Sequence, residues 1–217
     1  MKYTTVLFDV DGTLCDPGKS MLESARYALS KLGIDEADDA KIHQLIGPPL
    51  EHAFETYYGF DEAKTNKAVI YFRENMQKEG VLLYEAYAGI AELLESLQKG
   101  GATLAIVTSK IEHIAIDALD KTDLIKYFKL VSAQQANVVV HKEVILAKAL
   151  KGLNITDKSS VVMIGDRRHD IEAADLQGVA SVGVLWGYGS LEELNDEGAG
   201  YIVKDVAQLS QLLFSAA

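Results

Sequence analysis

The 217-residue chain predicts a doubly wound α/β fold, a mostly parallel sheet interrupted by an all-helical insertion, and three observations predict it. Short, nearly continuous apolar runs rich in β-branched residues recur along the chain, as strands buried on both faces of a parallel sheet require. Amphipathic helical patterns separate these runs. One stretch, from about Pro17 to Gly80, carries helical patterns and no convincing strand.

The elements follow in order. Thr4–Phe8 (TTVLF) is the first strand. The insertion then shows Met21, Leu22, Ala25, Leu29 and Leu32 at helical spacing, followed by Ile42, Leu45 and Ile46. Leu50, Ala53, Phe54 and Tyr57 make a third pattern, and Val69, Phe72 and Met76 a fourth. Gly33, the Gly47-Pro48-Pro49 break and Gly59 divide them, because Gly and Pro end helices. Beyond the insertion, Ile90, Leu93, Leu94 and Leu97 fall at i, i+3, i+4 and i+7 and lead into the strand Thr103–Val107. Ser160–Ile164 and Ser181–Leu185 are further strands, and Val206, Leu209 and Leu213 repeat the helical spacing near the C-terminus. The expected organisation is an α/β core of Rossmann-like type over residues 1–16 and 81–217, with a helical bundle over 17–80.

Charge narrows the partners. With 21 Lys+Arg against 32 Asp+Glu the net charge is −11. That balance disfavours nucleic acid, whose phosphates need a basic surplus, and equally an anionic membrane surface. A small anionic substrate needs only a few local positive groups and remains open. Cys15 is the single cysteine, which excludes an intrachain disulfide and a cysteine-based zinc site. No apolar run reaches the ~18 residues of a membrane span. The N-terminal MKYTTVLFDVDGTL meets an acid too early for a secretory core, so a cytoplasmic setting is expected. Oligomeric state is not legible, and a monomer is the default.

Three polar clusters lie at predicted strand ends. Asp9-Val10-Asp11-Gly12-Thr13 closes the first strand. Carboxylates at i and i+2 of an extended chain point to one side and repel, which a divalent cation on oxygen ligands would offset. Gly12 permits a close turn beneath a ligand and Thr13 adds a hydroxyl, although Asp-Gly also marks ordinary tight turns. Thr108-Ser109-Lys110 ends the second strong strand, where hydroxyls suit phosphate oxygens or, equally, cap a helix. Gly165-Asp166-Arg167-Arg168-His169-Asp170 follows Val161–Ile164, with two acids able to share one helical face or simply to cap it. Open α/β sheets bind ligands outside the carboxyl ends of their strands, and all three clusters sit there.

On these residues the chain resembles the haloacid dehalogenase superfamily of phosphohydrolases. DVDGTL is similar to its first motif, IVTSK to its second and GDRRHD to its fourth, and the helical insertion has the position and size of its cap domain. The resemblance implies that Asp9 is the phosphoryl-accepting nucleophile and Asp11 the general acid and base. It implies that Thr108 binds phosphoryl oxygens, with Gly12, Thr13, Ser109 and Lys110 around the substrate. It further implies Mg²⁺ as cofactor, held by Asp9, the Asp11 carbonyl and Asp166, with Asp170 supporting its water shell. The third-motif lysine is assigned to Lys142 of His141-Lys142-Glu143, where many relatives carry a proline in place of Glu143. Lys148 and Lys151 compete but read as a solvated helix face.

The implied activity is hydrolysis of a small phosphorylated metabolite. Asp11 favours phosphoryl chemistry over dehalogenation, while a phosphosugar mutase, a nucleotidase or pyrophosphatase, and a weakly catalytic phosphometabolite-binding protein remain alternatives. Leu45–Leu50 (LIGPPL) and Tyr71-Phe72-Arg73 resemble the phosphoglycolate phosphatase-like group. Gly47 is either a closing loop or a helix end, and Arg73 either a carboxylate ligand or an exposed helix arginine. Linkers near Asp16–Gly18 and Val81–Tyr87 would let the cap open and close. Trp186 either lines the site's edge or, as the favoured reading, packs, with its flanking glycines turning the chain. Cys15 reads as a small neutral residue, and His141 and His169 have no assigned role.

Overall fold

The computed structural model describes residues 1–45, 50–135 and 140–215. Gly47, and with it most of the LIGPPL segment, lies outside the described residues. The chain divides into two compact units, Met1–Asp16 with Glu85–Ala217, and Pro17–Tyr84.

Among the described residues the first unit holds eight strands: β1 (Thr5–Phe8), β2 (Cys15–Asp16), β3 (Glu85–Ala86), β4 (Thr103–Ile111), β5 (Leu130–Gln134), β6 (Val161–Gly165), β7 (Ala180–Val184) and β8 (Tyr201–Val203). Six of them form one parallel sheet in the order β5-β4-β1-β6-β7-β8. The order reverses at β1, so this is the doubly wound sheet expected, with β1 flanked by β4 and β6. β1 and β6 are buried throughout, which is why their sequences lack polar alternation. On one face Leu7, Ala105, Val107, Val161 and Met163 pack against Ile145, Leu146, Ala149, Ala173 and Ala174. These helical residues belong to two of the unit's helices, Lys142–Gly152 and Arg168–Gln177. Cys15 and Asp16 pair antiparallel with Ala86 and Glu85, so the two points where the chain leaves and re-enters this unit are hydrogen-bonded together.

The second unit contains α1 (Gly18–Lys31), α2 (Asp39–His43), α3 (Leu50–Tyr58) and α4 (Glu62–Lys78). The first unit adds α5 (Ile90–Lys99), α6 (Glu112–Lys121), α7 (Lys142–Gly152), α8 (Arg168–Gln177), α9 (Leu191–Asp196) and α10 (Val206–Phe214). The helical unit has its own core of Ala25, Ala28, Leu29, Ile42, Ala53, Phe54, Ala68, Val69 and Phe72. Phe54 stacks on Phe60 with ring centroids 5.7 Å apart. Asp61 starts α4 by accepting the Lys64 N–H at 2.8 Å, satisfying one of the donors a helix start leaves open. No strand occurs among the described residues of this unit, as the sequence pattern predicts. Among the described residues, no helix is long and apolar enough to cross a membrane.

Candidate active site

The carboxyl ends of β4, β1 and β6 are neighbours, and the three polar clusters meet there. Asp9 directly follows β1, its N–H donating to the Ile164 carbonyl of β6 at 3.0 Å. Asp166 directly follows β6, and Asp170 lies in the first turn of α8. Carboxylate oxygens of Asp9, Asp166 and Asp170 all lie within 4.8 Å of one another. All three residues are buried.

Lys142 is the counter-charge. It is the first residue of α7, buried, with Nζ 2.8 Å from Asp9 Oδ2 and paired also with Asp170 Oδ1. Burial lowers the lysine's pKa, but the carboxylates of Asp170 and Asp9 outweigh it and the net direction is upward, so the group is an ammonium. Lys148 and Lys151, on the same helix, are exposed.

The acids carry more charge than one lysine offsets. Burial, then the nearby charge of Asp9, pushes Asp166 up to about 6 from an ordinary 3.8. Burial also raises Asp170, although Lys142 opposes the rise. Three carboxylates against one ammonium leave two negative charges, the charge of one divalent cation. Asp9 Oδ1 is buried without a hydrogen-bond partner among the described residues. Clustered carboxylate oxygens with an open lone pair are the hard donor set that Mg²⁺ takes, so the residues present fit such an ion.

The surrounding backbone is built to let these carboxylates in. Gly12 has φ +76°, a left-handed conformation, and a Cβ there would overlap the Asp166 carboxylate. At Gly165 a Cβ would overlap the carboxylate of Asp170. Asp170 Oδ2 in turn accepts the Arg167 N–H at 3.1 Å, capping α8 with the same side chain that meets Lys142. Thr13 is fully buried and donates its hydroxyl to Asp166 Oδ1 at 3.3 Å.

The remaining residues named from sequence divide. Thr108 is buried at the end of the regular part of β4, its Oγ1 accepting the Lys110 N–H at 3.2 Å. Ser109 is exposed. Lys110 turns inward, with Nζ 2.6 Å from Asp11 Oδ2. The Asp11 side chain thus meets Lys110 and is not part of the three-carboxylate group. Arg167 pairs with Glu193 at 2.9 Å, and Arg73 with Glu51 at 3.3 Å on an exposed face. Cys15 is buried, which pushes its thiol up to about 12 and keeps it neutral. His43, His52, His113, His141 and His169 are all exposed.

Sequence reasoning missed the loop after β7. Tyr188 donates its N–H to Asp166 Oδ2 at 2.9 Å, and Trp186 donates Nε1–H to the Thr13 carbonyl at 3.1 Å. The Tyr188 hydroxyl reaches Asp16 Oδ1 at 2.6 Å. A Cβ at Gly187 or Gly189 would overlap Asp166 or its backbone. The alternation Trp-Gly-Tyr-Gly at the carboxyl end of a strand is the signal that could have found this loop: small residues where backbone must approach, donors between them.

A doubly wound sheet thus gathers buried acids, a buried lysine and a hydroxyl at three adjoining strand ends, a site suited to a divalent cation and an anionic ligand. Residues 6–184 match the haloacid dehalogenase-like hydrolase family, and the chain belongs to it. It is 38% identical over 216 residues to a Pseudomonas aeruginosa protein named 5'-nucleotidase, covering 99% of this chain and 97% of that one. It is 29% identical over 208 residues to the Mycobacterium tuberculosis protein named tyrosine-protein kinase PtkA, covering 95% of this chain and 70% of that one. The crystal structure of a Clostridium difficile protein assigned provisionally as a phosphatase superposes with a TM-score of 0.94 at 38% identity, covering 99% of this chain and 100% of that one.

Proposed function

We propose that the protein is a Mg²⁺-dependent phosphatase that hydrolyses a small phosphate monoester through an aspartyl-phosphate on Asp9. The observation that carries this reading is the Asp9 carboxylate, one oxygen 2.8 Å from Lys142 and the other buried and unpartnered among the described residues, beside Asp166 and Asp170. In this reading residues 1–16 and 81–217 form the catalytic core, and 17–80 the cap that shapes substrate choice.

Asp9 attacks phosphorus, forming an O–P bond as the ester O–P bond breaks, and Asp11 gives its proton to the departing oxygen. Water then forms a bond to phosphorus as the Asp9 O–P bond breaks, and Asp11 takes the water's proton. Lys142 and Thr108 hold the phosphoryl oxygens. Asp9, the Asp11 carbonyl and Asp166 would hold Mg²⁺ with Asp170 behind them, and the bound ion supplies positive charge to the transferring group. Gly12, Thr13, Thr108 and Ser109 frame the substrate's phosphate.

Among substrates, a nucleoside 5'-monophosphate stands first, supported by the name of the 38%-identical relative. Phosphoglycolate rests on the looser likeness of the helical insertion. A phosphate-release screen with Mg²⁺ over nucleoside monophosphates, phosphoglycolate, pyrophosphate and sugar monophosphates, ranked by kcat/KM, decides between them. Asp9→Asn should fold as wild type and lose all turnover. Turnover by that variant, or wild-type turnover undiminished in EDTA, would sink the reading.

A further inference from the structure

Resting on the phosphatase reading, we propose that Lys110 is a positioning residue for Asp11, acting on phosphoryl transfer through that carboxylate and not through the phosphate. Lys110 belongs to an irregularity in β4, where the register with β5 shifts between Thr108 and Ile111. That irregularity turns the lysine back over the site. Its N–H is anchored on Thr108 Oγ1 at 3.2 Å, and its Nζ stands 2.6 Å from Asp11 Oδ2. The lysine side chain is only 10% exposed and the Asp11 side chain 36%, so the ammonium end is held in place while the Asp11 side chain keeps access to solvent.

The two oxygens of Asp11 are then unequal. Oδ2 is held by the ammonium, while Oδ1 is buried with no hydrogen-bond partner among the described residues. An ammonium only donates, so the oxygen that faces it must accept. Oδ1 is therefore the oxygen left to carry a transferred proton, and the ion pair on Oδ2 fixes the carboxyl plane. As the Asp9 O–P bond forms and the ester O–P bond breaks, the Oδ1 proton passes to the leaving oxygen, and Lys110 makes no bond to substrate. Orientation of this kind removes the search for a productive rotamer from the chemical step. The two lysines divide the work: Lys142 neutralises Asp9 and Asp170, and Lys110 aligns Asp11.

The test compares two esters. A nucleoside monophosphate leaves as an alkoxide and needs the proton, whereas p-nitrophenolate departs without it. Lys110→Met should lower kcat/KM for the nucleoside ester roughly 30-fold, with KM nearly unmoved, and that for p-nitrophenyl phosphate by less than about threefold. Lys110→Arg should recover most of the loss. In an Asp11→Asn background, Lys110→Met should cost nothing more, because a residue acting through Asp11 has nothing left to position. Equal losses on both esters with raised KM, losses that add to those of Asp11→Asn, or no loss at all would each overturn the proposal. Matching circular dichroism of both Lys110 variants guards against misfolding. A wild-type protein that hydrolyses neither ester with Mg²⁺ overturns the phosphatase reading itself, before any substitution is made.

Discussion

The buried acids make the protein's stability depend on pH and on a cation in a calculable way. Asp166 titrates near 6 in the folded chain against an ordinary 3.8, raised first by burial and then by Asp9. A raised carboxyl pKa favours the folded state below the unfolded value, and that advantage is lost as pH rises through the folded value. The whole difference, about two pKa units, corresponds to about 3 kcal/mol. Between pH 5 and pH 7.5 the folded carboxyl loses its proton while the unfolded one has already lost it, which takes away about 1.4 kcal/mol. Asp170 is raised in the same direction and adds to the effect. In EDTA, the protein should therefore melt about 3 °C or more lower at pH 7.5 than at pH 5. Mg²⁺ binds only the ionised carboxylates, so at pH 7.5 it should restore about 2.7 kcal/mol when present at a hundredfold its Kd, and far less at pH 5. Thermal unfolding at both pH values, with EDTA and with Mg²⁺, measures this directly. Asp166→Asn should flatten both responses. A metal-free protein more stable at pH 7.5 than at pH 5, or an Asp166→Asn variant that keeps the full pH slope, would refute the reasoning.

Two further substitutions probe how the site and the helical unit are built. Gly12→Ala forces a Cβ into a φ of +76° and onto the Asp166 carboxylate, so it should cost about 3 kcal/mol by urea denaturation and abolish the Mg²⁺-induced rise in Tm. Phe54→Ala removes a fully buried ring stacked on Phe60, and should destabilise the helical unit by about 3–5 kcal/mol in the same measurement.

What could be read from the sequence follows from what periodicity reports. β1 and β6 are legible because burial on both faces leaves no polar residue to interrupt them. β5 is not, because Leu130 and Val131 are only half buried at the sheet edge and Ser132 sits mid-strand. That serine is tolerated because its hydroxyl donates to the Ile145 carbonyl at 2.8 Å, a partner 13 residues away that no local pattern encodes. β8, three residues at the opposite edge, is too short to show a period. The acids and Lys142 are legible as residue types at strand and helix ends. The partners of Thr13 and Lys110 are not: both read as substrate-facing, and the structure gives the Thr13 hydroxyl to Asp166 and the Lys110 ammonium to Asp11.

The need for a cation follows from the sheet more than from any one side chain. Neighbouring strands lie about 4.8 Å apart, so acids placed just past the ends of adjacent parallel strands have backbones close enough for their carboxylates to meet. β1 and β6 are such neighbours, with Asp9 and Asp166 each one residue past the end, and their oxygens fall within 4.8 Å. At an effective dielectric near 20, two unit charges at that distance repel by about 3.5 kcal/mol. Burial first, and then this repulsion, raise the Asp166 pKa. Lys142 pairs with Asp9 and Asp170, whereas the Asp166 oxygens accept from the neutral donors of Thr13 and Tyr188. The strand order that makes the fold thus also gathers the negative charge that a divalent ion would neutralise before an anionic substrate enters.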